Sequence, residues 1–270
     1  MKYRISYIVM LVLFACQPKQ QQSDSLNAAS QLPKAVIELA NSVKQFPDSL
    51  GLRFRLADAL DSAGEYSESL TQLDSLLSKD KANFGLWFKK ALVLTHNKDT
   101  ISAINAYLNA VKVYPSPDAL LALANLYAEK KDPKAVALCK QVSDFKLGRT
   151  YLAHCQFITG IYYARIGKTT DAIQFFNQCI SNNYAYMEAY MEKGFVYYDQ
   201  HKTKEALLVF QTVTTLKNNY ADGYYWMAKC YELLPNKAAA IDNYQKALTL
   251  DNSIKEAADA ITRLKKATGS

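Results

Sequence analysis

MEAYMEKGFVYYDQHKTKEALLVFQTVTTLKNNY, residues 187–220, runs without a gap into ADGYYWMAKCYELLPNKAAAIDNYQKALTLDNSI, residues 221–254. The two windows share one spacing. With Met187 and Ala221 each counted as position 1, Tyr190 and Tyr224 stand at 4, Gly194 and Ala228 at 8, and Tyr197 and Tyr231 at 11. Ala206 and Ala240 follow at 20, and Phe210 and Tyr244 at 24. Self-similarity at a fixed period of this size is the signature of a repeat architecture. The pattern continues upstream. Counted from Ala153, Gly160, Tyr163, Ala172, Phe176 and Cys179 occupy 8, 11, 20, 24 and 27. Counted from Phe84, Trp87, Ala91, Leu94, Ala103, Tyr107, Ala110 and Pro115 occupy 4, 8, 11, 20, 24, 27 and 32. Near Leu50 the markers are Ala57, Leu60, Gly64 and Leu73, with Ser69 in place of the small alanine. A looser copy over 117–152 holds Leu120, Ala124, Tyr127, Ala135 and Cys139. It has a shortened turn at Lys131-Asp132-Pro133 and extra residues around Lys146-Leu147-Gly148.

The marker types have a physical reading. Small residues at 8, 20 and 27 let two helices approach closely, large ones at 4, 11 and 24 fill the gaps, and proline at 32 stops the second helix. Only 9 Gly and 7 Pro in 270 residues suit long helices with short turns. Most of the 19 Tyr are then packing residues first. Over roughly residues 33–265 the spacing resembles the tetratricopeptide (TPR) repeat family. The resemblance implies an all-α fold, a right-handed superhelical solenoid of antiparallel helix pairs. About six repeats are expected, near 50–83, 84–116, 117–152, 153–186, 187–220 and 221–254. Pro33 to Phe46 reads as a half repeat, and the Lys/Arg-rich segment 255–267 as the solvating cap on the last repeat.

The N-terminus, MKYRISYIVMLVLFAC, has a short basic region at Lys2 and Arg4 and then an almost wholly apolar run over 5–14. That run is too short to span a bilayer and suits a signal-peptide core. Leu13-Phe14-Ala15-Cys16 resembles the lipobox of bacterial lipoproteins, which implies cleavage after residue 15 and lipidation of Cys16. Residues 17–32, polar at their start, then form a tether. Several acyl chains on one residue give stable anchoring. Gln17 after the cysteine is compatible with the outer membrane.

The residues offer no catalytic constellation. His96, His154 and His201 are scattered and form no metal-ligand spacing. No phosphate-binding glycine loop or nucleophile elbow is present. The formal charge of +7 is spread along the chain without a basic, aromatic-interleaved stripe, so neither a nucleic-acid partner nor a cofactor is expected. Cys139 and Cys155 fall on neighbouring helices, and both a disulfide and buried free thiols remain open for them.

In TPR arrays the first helix of each pair lines the inner face. By that resemblance, position 5 carries Phe54, Phe88, Leu121, Phe157, Met191 and Tyr225 into the groove, and position 9 carries Leu92, Asn125, Ile161 and Phe195. Arg165 and Tyr198 join them from positions 13 and 12. The large apolar residues at 5 and 9 are expected to lack a neighbour within their own repeat and to offer a partner surface. The lysine and paired asparagines of a carboxylate clamp are missing. The expectation is a membrane-anchored scaffold that binds protein or peptide partners in the bacterial envelope. Outer-membrane assembly, a secretion or motility machine and cell-wall enzyme adaptation are the settings the resemblance implies. The alternative is capture of a glycan or peptide ligand by the aromatic groove.

Overall fold

The computed structural model describes residues 32–266. Among the described residues it consists of fourteen helices and no strand. These are α1 (Lys34–Gln45), α2 (Leu50–Ser62), α3 (Tyr66–Lys79), α4 (Phe84–His96), α5 (Thr100–Val113), α6 (Pro117–Glu129) and α7 (Lys134–Asp144). They continue with α8 (Arg149–Arg165), α9 (Thr169–Asn182), α10 (Met187–Asp199), α11 (Thr203–Leu216), α12 (Ala221–Leu233), α13 (Lys237–Leu250) and α14 (Lys255–Lys266). None is long and apolar enough to cross a membrane. The expected signal peptide, Cys16 and nearly all of the tether lie outside the described residues. The chain divides into two compact units, Met1–Gln72 and Leu73–Ser270, the boundary falling within α3.

In the first unit, α1 packs on α2 through Val36, Val43, Leu56 and Leu60. Ser69 fills a position that is alanine in the other repeats. It is fully buried and satisfies its hydroxyl by donating to the Ala57 carbonyl at 2.7 Å, which removes the penalty of a buried polar group.

In the second unit each helix from α4 to α14 packs on the next in chain order. The close approach of partners is set by small residues. Gly194 of α10 faces Phe210 of α11 so tightly that a Cβ on the glycine would lie 2.4 Å from the phenylalanine Cε1. Gly160 of α8 stands in the same relation to Phe176 of α9, at 2.6 Å. The alanines at position 20, Ala103, Ala172, Ala206 and Ala240, are fully buried. Gly194→Ala is therefore expected to destabilise by about 1–3 kcal/mol through overpacking, although alanine is the better helix former. A urea melt equal to wild type would show that Phe210 can move aside at no cost.

The short turns within pairs have a common construction. Position 15 adopts the left-handed conformation at Gly64 (φ 82°), Lys98 (φ 61°), Lys131 (φ 60°), Gly167 (φ 79°) and His201 (φ 59°). The next residue's N–H then donates back to the carbonyl at position 11, as from Asp99 to Leu94, Lys168 to Tyr163 and Lys202 to Tyr197, each at 2.9 Å. This Schellman closure satisfies carbonyls left open at the helix end and reverses the chain in few residues. His201 thus has a backbone role.

The irregular repeat departs from the expected boundary. Helix α7 has 11 residues where the other second helices of the unit have 14, and α8 has 17 where the other first helices have 13. The expected start at Ala153 lies one turn inside α8. The extra residues 145–148 make a turn around Lys146 (φ 53°) and Gly148 (φ 96°), and the chain re-enters helix at Arg149. At the other end α14 packs on α13, with Ala257 and Ala260 buried against Ala240 and Tyr244. Arg263 of α14 reaches Glu232 of α12 at 2.6 Å, and Tyr244 donates to the same carboxylate at 2.5 Å. Burial of Glu232 raises its pKa, but the bonds from Tyr244 and Arg263 together outweigh this and leave it below the ordinary glutamate value.

Candidate functional site

The first helices of successive repeats in the second unit are α4, α6, α8, α10 and α12. A side-chain bridge joins three of them. Arg165 at the end of α8 places its guanidinium between Glu129 of α6, at 2.8 Å, and Glu192 of α10, at 3.1 Å. The Arg165 fork takes both oxygens of each carboxylate. Its proton is held more firmly than usual, chiefly by the Glu129 hydrogen bond. Arg165 is therefore a strap between repeats, already engaged by two acids. Neither Glu129 nor Glu192 was picked out by sequence position, because the bridge spans 36 and 27 residues.

The predicted groove residues divide by depth. Ile161 and Met191 are buried, 2% and 5% exposed, and do not reach the surface. Met191 instead joins the core cluster with Met187, Phe210, Val213 and Met227. Phe88, Leu92, Leu121, Phe157, Phe195, Tyr198 and Tyr225 are half-buried, and Asn125 is exposed. Phe54, in the first unit, is exposed at 37%.

The expectation that positions 5 and 9 lack neighbours in their own repeat is overturned. Phe157 lies 6.1 Å from Phe176, Phe195 lies 5.8 Å from Phe210, Tyr225 lies 5.6 Å from Tyr244 and Phe88 lies 5.8 Å from Tyr107. Each of these four aromatics rests on the fully buried aromatic at position 24 of its own repeat. These four predicted groove residues are thus the outer skin of the core.

One cluster goes further. Trp226, at position 6 of α12, has Phe195 at 4.7 Å, Tyr198 at 5.3 Å, Tyr225 at 5.7 Å and Phe210 at 6.0 Å between ring centres. Four half-buried rings from two adjacent first helices meet there above one buried ring. The pairs among the four half-buried rings are edge-on or tilted, and Trp226 stacks on Phe210. Trp226 is the residue that sequence reasoning missed. Its position carries no family marker, and the signal available was the run of three aromatics Tyr224-Tyr225-Trp226. A second, smaller cluster places Tyr186 at 4.9 Å from Phe157, with its hydroxyl 2.9 Å from His154 Nδ1. No group of three or more His, Cys, Asp or Glu that could hold a metal is present among the described residues.

Residues 221–254, the second window quoted at the outset, match the tetratricopeptide repeat family model. No curated protein sequence is significantly similar to the chain. Among solved structures, the chain is similar to a tetratricopeptide repeat protein from Parabacteroides merdae, at 18% identity and a TM-score of 0.71, covering 91% of this chain and 96% of that one. It is similar to PilW, described as a widely conserved type IV pilus biogenesis factor, at 15% identity and a TM-score of 0.65, covering 80% and 99%. It also resembles the C-terminal part of a TPR repeat-containing protein from Cytophaga hutchinsonii, at 20% identity and a TM-score of 0.53, covering 73% and 78%. The fold is that of a TPR array.

Proposed function

We propose that this protein is a scaffold of the bacterial cell envelope, held to a membrane by lipid on Cys16, whose array binds a protein or peptide partner. The observation that carries the binding part is the four-ring surface of Phe195, Tyr198, Tyr225 and Trp226. Rings that are half-buried in the free chain offer rigid apolar area at small entropic cost, and aromatic side chains of this kind dominate interface energetics. The rings already pack on one another in the free chain, and the Arg165 strap ties α10, which carries two of them, to α8 and α6. The anchor rests on the basic start, the apolar run and the Leu13-Phe14-Ala15-Cys16 motif. The type IV pilus role of PilW agrees with an envelope setting for a chain of this fold.

The anchor and the binding role have separate tests. In cells fed a labelled fatty acid, the wild-type chain is expected to take up label, and Cys16→Ser to take up none and to be left uncleaved or soluble. Equal label in both would remove the lipoprotein reading. For binding, photo-crosslinker placed at Lys229, beside the ring cluster, is expected to trap specific envelope proteins that a crosslinker at the outer-face Leu208 does not.

A further inference from the structure

The irregular repeat holds a second feature. In the other repeats position 24 is filled by a buried large side chain: Leu73, Tyr107, Phe176, Phe210 or Tyr244. In the third repeat the equivalent residue is Cys139 of α7. An open cleft of about 260 Å³ lies between α7, α8 and α9, with Cys139 in its lining. Cys155 of α8 lines the same cleft. Both cysteines are 3% exposed and both are free thiols. Each is held by its own helix, the Ser143 hydroxyl donating to the Cys139 carbonyl at 2.9 Å and the Thr159 hydroxyl to the Cys155 carbonyl at 2.8 Å. Lys140 stands at the exposed rim.

We infer that Cys139 and Cys155 form a redox-active dithiol, a modification site at which a small or protein-borne disulfide oxidant entering through this cleft cross-links α7 to α8. The pair is chemically asymmetric. The neighbouring Cys155 and burial raise the Cys139 pKa, while the neighbouring Cys139 lowers that of Cys155 against the effect of burial. Cys155 is then the attacking thiolate. It displaces one thiolate from the oxidant's disulfide and becomes a mixed disulfide. The leaving thiolate takes the proton of Cys139, whose sulfur attacks Cys155 Sγ and expels the oxidant's second half as a thiolate, which takes up through water the proton that Cys155 had shed. The chain loses two electrons and two protons, and the oxidant gains them as two thiols. Cys179 and Cys230 lie outside the cleft, and burial pushes their thiols up to about 12. They are expected to stay reduced.

The probe is glutathione disulfide applied to the folded full chain, followed by acid quench, denaturation, alkylation and peptide mapping. The expected result is loss of two of the four described thiols, with one peptide pair joined through Cys139 and Cys155. Cys139→Ser should stop at the first step, with one glutathione retained on Cys155, and Cys155→Ser should leave Cys139 unmodified. The wild-type map needs no variant to fold. All four thiols recovered, a cross-link joining any other pair, or oxidation seen only after urea unfolding would each overturn the assignment.

Discussion

Phe210→Ala is expected to remove about 3–5 kcal/mol of folding stability, the largest effect of any single truncation in the fourth helix pair of the second unit. Phe210 is fully buried and belongs to a cluster of Met187, Met191, Val213, Met227 and Cys230. Gly194 has no side chain because the Phe210 ring occupies that space. Deleting the ring opens a cavity against a glycine, which has no atoms to move into it. Methionines beside it are the adaptable neighbours and set the lower end of the range. Phe210→Leu, which keeps most of the volume, should lose roughly 1 kcal/mol. The measurement is a urea titration of each variant followed by circular dichroism. Repeat arrays need not unfold in one step, so the midpoint and slope of each transition are fitted separately. A loss below about 1 kcal/mol for Phe210→Ala would mean that the pair of α10 and α11 is not held through this contact.

The same contact explains what the sequence could and could not reveal. The 34-residue period, the small residues at 8 and 20 and the large residue at 24 are local consequences of packing two helices, so they recur and can be counted. Position 15 was legible only where it is glycine. At Lys98, Lys131 and His201 the left-handed turn is imposed by the closure around it, with no marker in the residue type. The predicted groove positions came from the resemblance, and the depth of each side chain could not be read from the sequence. Whether an inner-face side chain is covered depends on how the next first helix leans over it. Met191 and Phe195 lie on the same helix, yet Met191 is buried while Phe195 meets Trp226 of the following repeat at the surface. The Glu129–Arg165–Glu192 strap is likewise a product of stacking three repeats. Inter-repeat contacts of this kind vary from one repeat to the next, and no period betrays them. The irregular repeat was visible as extra residues, but the added turn at the start of α8 follows from where Gly148 lets the chain turn.

Trp226→Ala is expected to separate binding from folding. The indole is shared between two functions: it rests on Phe210 from above and touches Phe195, Tyr198 and Tyr225 laterally. Its truncation leaves no sealed cavity, because the ring is half-buried and water or neighbouring rings can occupy its place. The stability loss should therefore fall below that of Phe210→Ala, at roughly 1–2 kcal/mol. An aromatic at the centre of an interface commonly contributes more than 2 kcal/mol, so affinity for the captured partner should drop by about thirtyfold or more. Lys112→Ala, on the exposed part of α5, supplies a control for substitution outside the ring cluster. Affinity and melting temperature are measured on the same preparations. A fall in affinity that exceeds the loss of stability marks the rings as the binding surface. A melt as damaged as that of Phe210→Ala, with affinity unchanged among the molecules that remain folded, would assign the cluster wholly to the core. The partner would then have to engage the outer face, where Ile101 and Leu208 of the second helices stand 69% and 67% exposed.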